Sequence, residues 1–264
     1  MTREIVGLIP AAGQATRIAP LPCSKEIYPI GFREVEDGSQ RPKAVCHYLL
    51  EKMRLAGVTK AYIILREGKW DIPAYFGDGH WLNLDLAYLM MRLPYGAPYT
   101  LDQAYPFAKE ATIVFGFPDI LFEPQDAFVQ LLARQAKTGA AVVLGLFPAE
   151  NPNKMDMVDL DEAGRTRRIY IKPLRTDLVY TWIIAVWTPA FSQYMHDYLR
   201  AAQAASDSHQ SPPELYVGHV IQAALDDGLG VDSVLFSAGR CLDIGTPESL
   251  KRAQVSDWKS LLEG

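Results

Sequence analysis

Residues 7–30 of this 264-residue chain read GLIPAAGQATRIAPLPCSKEIYPI, and their types suit the binding of a polyphosphate. An apolar run, 5–9, stops at Pro10. Ala11, Ala12, Gly13, Gln14 and Ala15 follow, then Thr16 and Arg17, and after a proline-rich spacer Lys25. Small residues directly after a strand let the backbone approach a ligand and turn its N–H groups toward an anion. Arg17 offers a planar fork of donors and Lys25 a point charge. An ordinary strand-to-loop turn with two solvated basic residues has the same composition, so the chemistry needs partners elsewhere in the chain.

Other reactive types narrow the choice. His47, His80, His196, His209 and His219 show no ligand spacing and read as structural or surface residues. Cys23, Cys46 and Cys241 are widely separated, without a C-x-x-C pair, which fits a reducing cytoplasm and offers no zinc site. A formal charge of −5 argues against a bulk nucleic-acid or anionic-membrane binder. It leaves a nucleotide ligand open, because local cations and a bound divalent ion outweigh a diffuse negative background. No apolar stretch approaches bilayer length and the N-terminus has no signal-like region, so a soluble cytoplasmic enzyme is expected.

The elements that must position these residues follow from periodicity. Residues 44–56 carry a helical stripe of Val45, Tyr48, Leu49, Met53 and Ala56, closed by Gly57. Residues 61–65, 84–91, 111–117 and 140–147 read as strands, and 125–138 as a helix stopped by Gly139. Residues 31–42 read as an exposed polar loop, 66–83 as a loop with a short helix, and 94–100 as a loop before a small helix reaching about Lys109. Strand and helix alternating at these intervals predict crossover units and a largely parallel sheet. Past Asn151 the texture changes: 155–160 and 167–172 flank Asp161-Glu162-Ala163-Gly164 as a hairpin. A strand over 180–187, a helix over 189–205, a polar linker over 206–210 and a strand over 231–236 complete the chain. Capping patterns at Ser211-Pro212-Pro213-Glu214 and Thr246-Pro247-Glu248 predict two more helices, the first reaching about Asp227.

With these segments in place, four motifs in order resemble the sugar-1-phosphate nucleotidylyltransferases, of the bacterial glucose-1-phosphate thymidylyl- and uridylyltransferase type. AAGQATR with Lys25-Glu26 resembles their signature loop, and FGFPDILF the strand ending in a metal-binding aspartate. DEAGRTRRIYIKP resembles the hairpin that holds the sugar phosphate, and CLDIGTPESL the segment supplying a second metal aspartate. The resemblance implies a Rossmann-like three-layer α/β/α fold with a mixed, mostly parallel sheet. It implies one catalytic domain over 1–264, with a small sugar-binding lobe inserted at about 150–180.

In that reading Asp119 and Asp243 share Mg²⁺, and Arg17 and Lys25 hold the triphosphate along Ala11–Thr16, with Gly96 on the base side. Lys172 holds the sugar-1-phosphate, and Asp156 and Trp182 face the sugar. The partners are a nucleoside triphosphate, dTTP or UTP, and a sugar-1-phosphate, with neither nucleic acid nor membrane; self-association into a homo-oligomer stays open. A phosphate monoester has its second pKa near 6 and is already anionic at pH 7, so attack on the α-phosphorus needs no general base. The obstacle is joining two polyanions, which hard carboxylate–Mg²⁺ sites and Lys and Arg clamps address.

The chain departs from the family pattern at particular residues. Ala15 stands at a loop glycine and is tolerable if its φ is negative. Met91 or Arg92 stands where a base-reading Gln or Glu is expected. Ile171 replaces an acid, Asp156 a sugar-contacting glycine, and Trp182 a pocket glycine, there either to stack on the sugar or to fill the pocket. An unusual sugar substrate is the corresponding expectation. Rivals are a glycosyltransferase using Asp159 and Asp161 as its acidic pair, and an inactive nucleotide- or sugar-binding regulator. The glycines of a dinucleotide fold and the G-K-S/T of a P-loop are missing.

Overall fold

A computed structural model describes residues 3–35, 37–92, 95–162, 164–205 and 214–255. In chain order the first half comprises β1 (Ile5–Pro10), β2 (Pro29–Glu34), β3 (Gln40–Ala44), α1 (Val45–Leu55), β4 (Lys60–Arg66), α2 (Asp71–Phe76), β5 (Asp85–Met91), α3 (Ala97–Asp102), α4 (Tyr105–Ala108), β6 (Thr112–Gly116), β7 (Ile120–Glu123) and α5 (Ala127–Thr138). The second half comprises β8 (Val142–Pro148), β9 (Met157–Leu160), β10 (Thr166–Tyr170), β11 (Tyr180–Trp187), α6 (Pro189–Ala205), α7 (Val217–Asp226), β12 (Val231–Leu235), β13 (Arg240–Asp243) and α8 (Pro247–Gln254).

Nine strands form one mixed sheet whose main path runs β10-β9-β11-β6-β1-β4-β5, with β8 on β11 and β12 on β8. β1 pairs in parallel with β4 and β6, β4 with β5, and β8 with β12, while β11 runs antiparallel to β6 and β8. The period-2 side-chain alternation of a strand splits each apolar run between two cores. Val6 and Leu8, Tyr62 and Ile64, and Ile113 and Phe115 face the side covered by α3, α6 and α7. Ile9, Ile63 and Val114 face the side covered by α1 and α5. That is the three-layer α/β/α arrangement. No helix among the described residues is long and apolar enough to cross a membrane.

Two local expectations change, and two short strands are added. The polar stretch 31–42 is not a loop but most of the β2–β3 hairpin, antiparallel from Pro29↔Ala44 to Glu34↔Gln40. Helix replaces the loop from Ala97, where Pro98 sits in the first turn of α3. The short strands β7 and β13, which pair as their own two-stranded sheet, have no separate signal in the sequence. Of the proposed caps, Thr246 accepts the Ser249 N–H at α8, whereas residues 211–213 lie outside the described residues and α7 begins only at Val217.

Candidate active site

The loop after β1 starts buried and ends open. Ala11 N–H donates to the Ile64 carbonyl at 2.8 Å, and Ala11 and Ala12 are each 1% exposed. Residues 12–17 then line a cavity of about 570 Å³ together with Lys25, Gly96, Asp119 and Asp243. Ala11 stays behind that wall, as part of the core. Ala15 takes φ +54°, so the condition of a negative φ at this departure from glycine is not met. The left-handed turn is closed by Ile18 and Ala19 N–H groups on the Ala15 carbonyl, both at 3.1 Å, and the Ala15 methyl packs on the Ile18, Ile30 and Ile244 cluster.

Asp119 and Asp243 reach the cavity through the β7–β13 sheet, in which Asp243 pairs with Ile120 and the Ile244 N–H donates to the Asp119 carbonyl at 3.0 Å. Each carboxylate has a cation. Lys25 Nζ lies 2.5 Å from Asp119, with both side chains largely buried, and Arg17 lies 3.5 Å from Asp243, both more open. Burial alone would push the Asp119 carboxyl up, but the ammonium and hydrogen bond of Lys25 hold it below the usual carboxylate range. Asp243 is shifted upward by burial and by the negative charge of Asp119. Its Oδ1 accepts the Gly245 N–H at 2.7 Å.

Lys25 is braced from both neighbours. Ser24 donates its N–H and hydroxyl to Asp71 at 2.6 and 2.7 Å, and Glu26 makes a buried ion pair with Lys69 at 2.5 Å. On the opposite wall, Gly96 has φ +118°, and a Cβ there would lie 2.0 Å from the Leu215 carbonyl oxygen, so only glycine fits. Glu26, Ala97, Thr100, Phe117 and Glu214 also line the wall, none of them a candidate from the sequence alone. Phe117 and Glu26 could have been found as neighbours of Asp119 and Lys25; Thr100 and Glu214 depend on tertiary contacts.

Met91 and Arg92 do not reach the cavity wall: Met91 is buried, and its sulfur accepts the Thr100 hydroxyl at 3.1 Å. Lys172, Asp156 and Trp182 also lie off the wall of this cavity. Lys172 has φ +42° and its ammonium sits 3.5 Å above the centre of the Tyr216 ring, next to the segment that carries Glu214. Trp182 is 5% exposed, its ring 6.2 Å from both Phe115 and Phe117. It belongs to the buried core cluster on that side of the sheet. Its indole Nε1 and Asp156 Oδ1 are buried without a partner among the described residues. The acids of the glycosyltransferase alternative are engaged within their hairpin, Asp159 by Arg167 and Asp161 by Arg165, each at 2.8 Å.

Among the described residues no three His, Cys, Asp or Glu side chains cluster as a protein-only metal cage. Two hard carboxylates on one cavity wall, Asp243 partly open, do suit Mg²⁺, which takes one or two carboxylates and completes its shell with water and substrate phosphates.

Comparison with known proteins gives a family and a shared fold. A family model described as nucleotidyl transferase matches residues 6–260. The glucose-1-phosphate thymidylyltransferase of Streptomyces antibioticus is 24% identical, the alignment covering 97% of this chain and 68% of that one. That of Neisseria gonorrhoeae is 25% identical over 94% of this chain and 80% of its own. A UTP-bound UGPase from Acinetobacter baumannii shares the fold with a TM-score of 0.73 at 14% identity, covering 95% of this chain and 92% of that one.

Proposed function

This chain belongs to the nucleotidyl transferase family, and from that premise we propose that it transfers a nucleotidyl group from dTTP or UTP to a sugar-1-phosphate, releasing pyrophosphate. The observation that carries the reading is the meeting of Arg17, Lys25, Asp119 and Asp243, from separate parts of the chain, on one cavity beside a backbone loop of small residues.

The two ion pairs explain how such a site receives a polyanion. A triphosphate competes with Asp119 for Lys25 and with Asp243 for Arg17, while the N–H groups of residues 12–16 face its oxygens. The carboxylates are the hard oxygen ligands that would hold Mg²⁺, whose contribution when bound is to neutralise phosphate charge. Lys172 takes the acceptor phosphate. An anionic oxygen of that phosphate attacks the α-phosphorus, a new P–O bond forms, and the bond to the β-phosphate breaks with its electrons leaving on pyrophosphate. No proton need be removed from the nucleophile, in keeping with a wall without histidine among the described residues. Arg17 and Lys25 then stabilise the leaving charge. The hairpin β9–β10 and its flanks, about 150–180, serve as the acceptor lobe of a single catalytic unit. Asp156 belongs to that side, and Trp182 shapes it from behind.

Pyrophosphate release should be measured across a grid of nucleoside triphosphates and sugar-1-phosphates with Mg²⁺, with Asp119→Ala as control. Turnover confined to pyrimidine triphosphates and lost in the control is expected. Silence across the whole grid would sink the enzyme reading, and turnover surviving in Asp119→Ala would sink the metal assignment.

A further inference from the structure

The acceptor-side cation rests on something other than a carboxylate. Arg17 and Lys25 each sit beside an aspartate, whereas the Lys172 ammonium lies 3.5 Å above the centre of the Tyr216 ring. The ring stands at the start of α7 and the lysine just past β10, and a row of contacts brings the two together. The Ile169 N–H donates to Gln222 Oε1 at 2.6 Å. Further along, the helix comes so close that a Cβ on Gly218 would lie 2.5 Å from Ile171 Cδ1. Lys172 on Tyr216 is the next contact in the row.

Tyr216 is anchored on its other side to the nucleotide wall. The Leu215 N–H donates to the Tyr95 carbonyl at 3.2 Å, and Leu215 forms a parallel bridge with Gly96. The Tyr216 N–H donates to His219 Nδ1 at 3.2 Å, and its hydroxyl donates at 3.2 Å to Glu214, which lines the nucleotide cavity. The ring is thus placed by the wall that faces the nucleotide. Lys172 is exposed, and holding its long stem in one geometry costs rotamer entropy. A neutral ring suits this cation. An ammonium over an aromatic face is attracted by the ring quadrupole and keeps its full charge. It has three N–H donors, so contact on one side leaves others for a phosphate. A carboxylate in the same place would repel the incoming anion and would have to be displaced first.

We propose that Tyr216 is a positioning residue for Lys172: its ring, carried by a backbone fixed to the nucleotide wall, sets where the ammonium meets the acceptor phosphate relative to the nucleotide. The proposal rests on the reading of Lys172 as the acceptor-phosphate cation. The ring stays beneath the ammonium while the phosphate binds on its open side.

A double-mutant cycle on the full-length protein tests this, with glucose-1-phosphate, dTTP and Mg²⁺ as the probes. Tyr216→Leu is expected to raise KM for glucose-1-phosphate about fivefold and leave KM for dTTP within about twofold. Tyr216→Phe keeps the ring and loses the bond to Glu214, so its acceptor KM should stay within about twofold of the parent. In a Lys172→Ala background, adding Tyr216→Leu should change the acceptor KM by less than about twofold. Additive effects would overturn the proposal and make Tyr216 an independent contact. An acceptor KM that falls in Tyr216→Leu would overturn it too, because the ring would then compete with the phosphate. Equal losses in Tyr216→Phe and Tyr216→Leu would place the effect in the hydroxyl and overturn the role of the ring. A lower melting temperature with both KM values unmoved would leave a purely structural residue. If Lys172→Ala alone leaves the acceptor KM unchanged, the reading of Lys172 fails first and the proposal with it, a pattern distinct from the others.

Discussion

Two acids, Asp119 buried and Asp156 half-buried, separate the two halves of this site. Asp119, on the nucleotide side, is held as an anion by Lys25, and Lys25 in turn stands between the Ser24–Asp71 and Glu26–Lys69 contacts. Asp156, on the acceptor side, resists ionisation and keeps one oxygen without a partner among the described residues. The nucleotide side is thus a matched set of opposite charges that a Mg²⁺-triphosphate can exchange with. The acceptor side is filled by Trp182 and carries unspent polar capacity. On the nucleotide side each of Asp119, Asp243 and Glu26 has a cation beside it, although Glu26 Oε2 is buried without a partner among the described residues; on the acceptor side Asp156 Oδ1 and Trp182 Nε1 lack one.

The contrast breaks most severely at Lys25. Lys25→Met should cut turnover about 10³-fold through lost stabilisation of the leaving phosphates. It should also cost about 3 kcal/mol of stability by leaving Asp119 buried and unpaired, visible in denaturant unfolding. Next comes Trp182→Ala. If Trp182 fills space behind Phe117, stability falls by about 3 kcal/mol or more while the ranking among sugar-1-phosphates is unchanged. A changed ranking with intact stability would return Trp182 to the sugar face.

Much of this was legible beforehand, for local reasons. Strand β11 and helix α6 follow directly from their apolar periods, and the small-residue loop with Arg17 and Lys25 does line the cavity. What escaped depends on partners distant in sequence. Strands β7 and β13 are four residues each and mean little apart, yet their pairing is what brings Asp119 beside Asp243. The Glu26–Lys69 brace likewise joins two charges that look solvated in the sequence. The hairpin over residues 29–44 was hidden by its polar composition, since much of its surface is open to water. Ala15 differs from glycine by a methyl alone, and its positive φ belongs to a turn whose shape only the fold sets.

Smaller effects sharpen the comparison. The folded Asp156 carboxyl titrates at about 6, above its ordinary 3.8, so its stability contribution is complete below about pH 4 and is lost as pH rises through 6. Asp156→Asn removes that loss. It should be more stable than the parent by about 2 kcal/mol at pH 8 and about equal to it at pH 4, as read by melts at the two values. The smallest change is expected at Ala15→Gly. Relief of the left-handed conformation, less the lost methyl packing and the greater freedom of the unfolded chain, should leave a net stability change of about 0.5 kcal/mol or less, with unchanged turnover.

The division itself is tested most directly by initial rates of pyrophosphate release with both substrates varied, on the parent protein, Lys25→Met and Lys172→Ala. Lys25→Met should lose turnover at every acceptor concentration, whereas Lys172→Ala should raise the acceptor KM and leave the nucleotide KM within about twofold. A nucleotide KM that rises in step with the acceptor KM in Lys172→Ala would contradict the account, because the two phosphates would then share one set of cations.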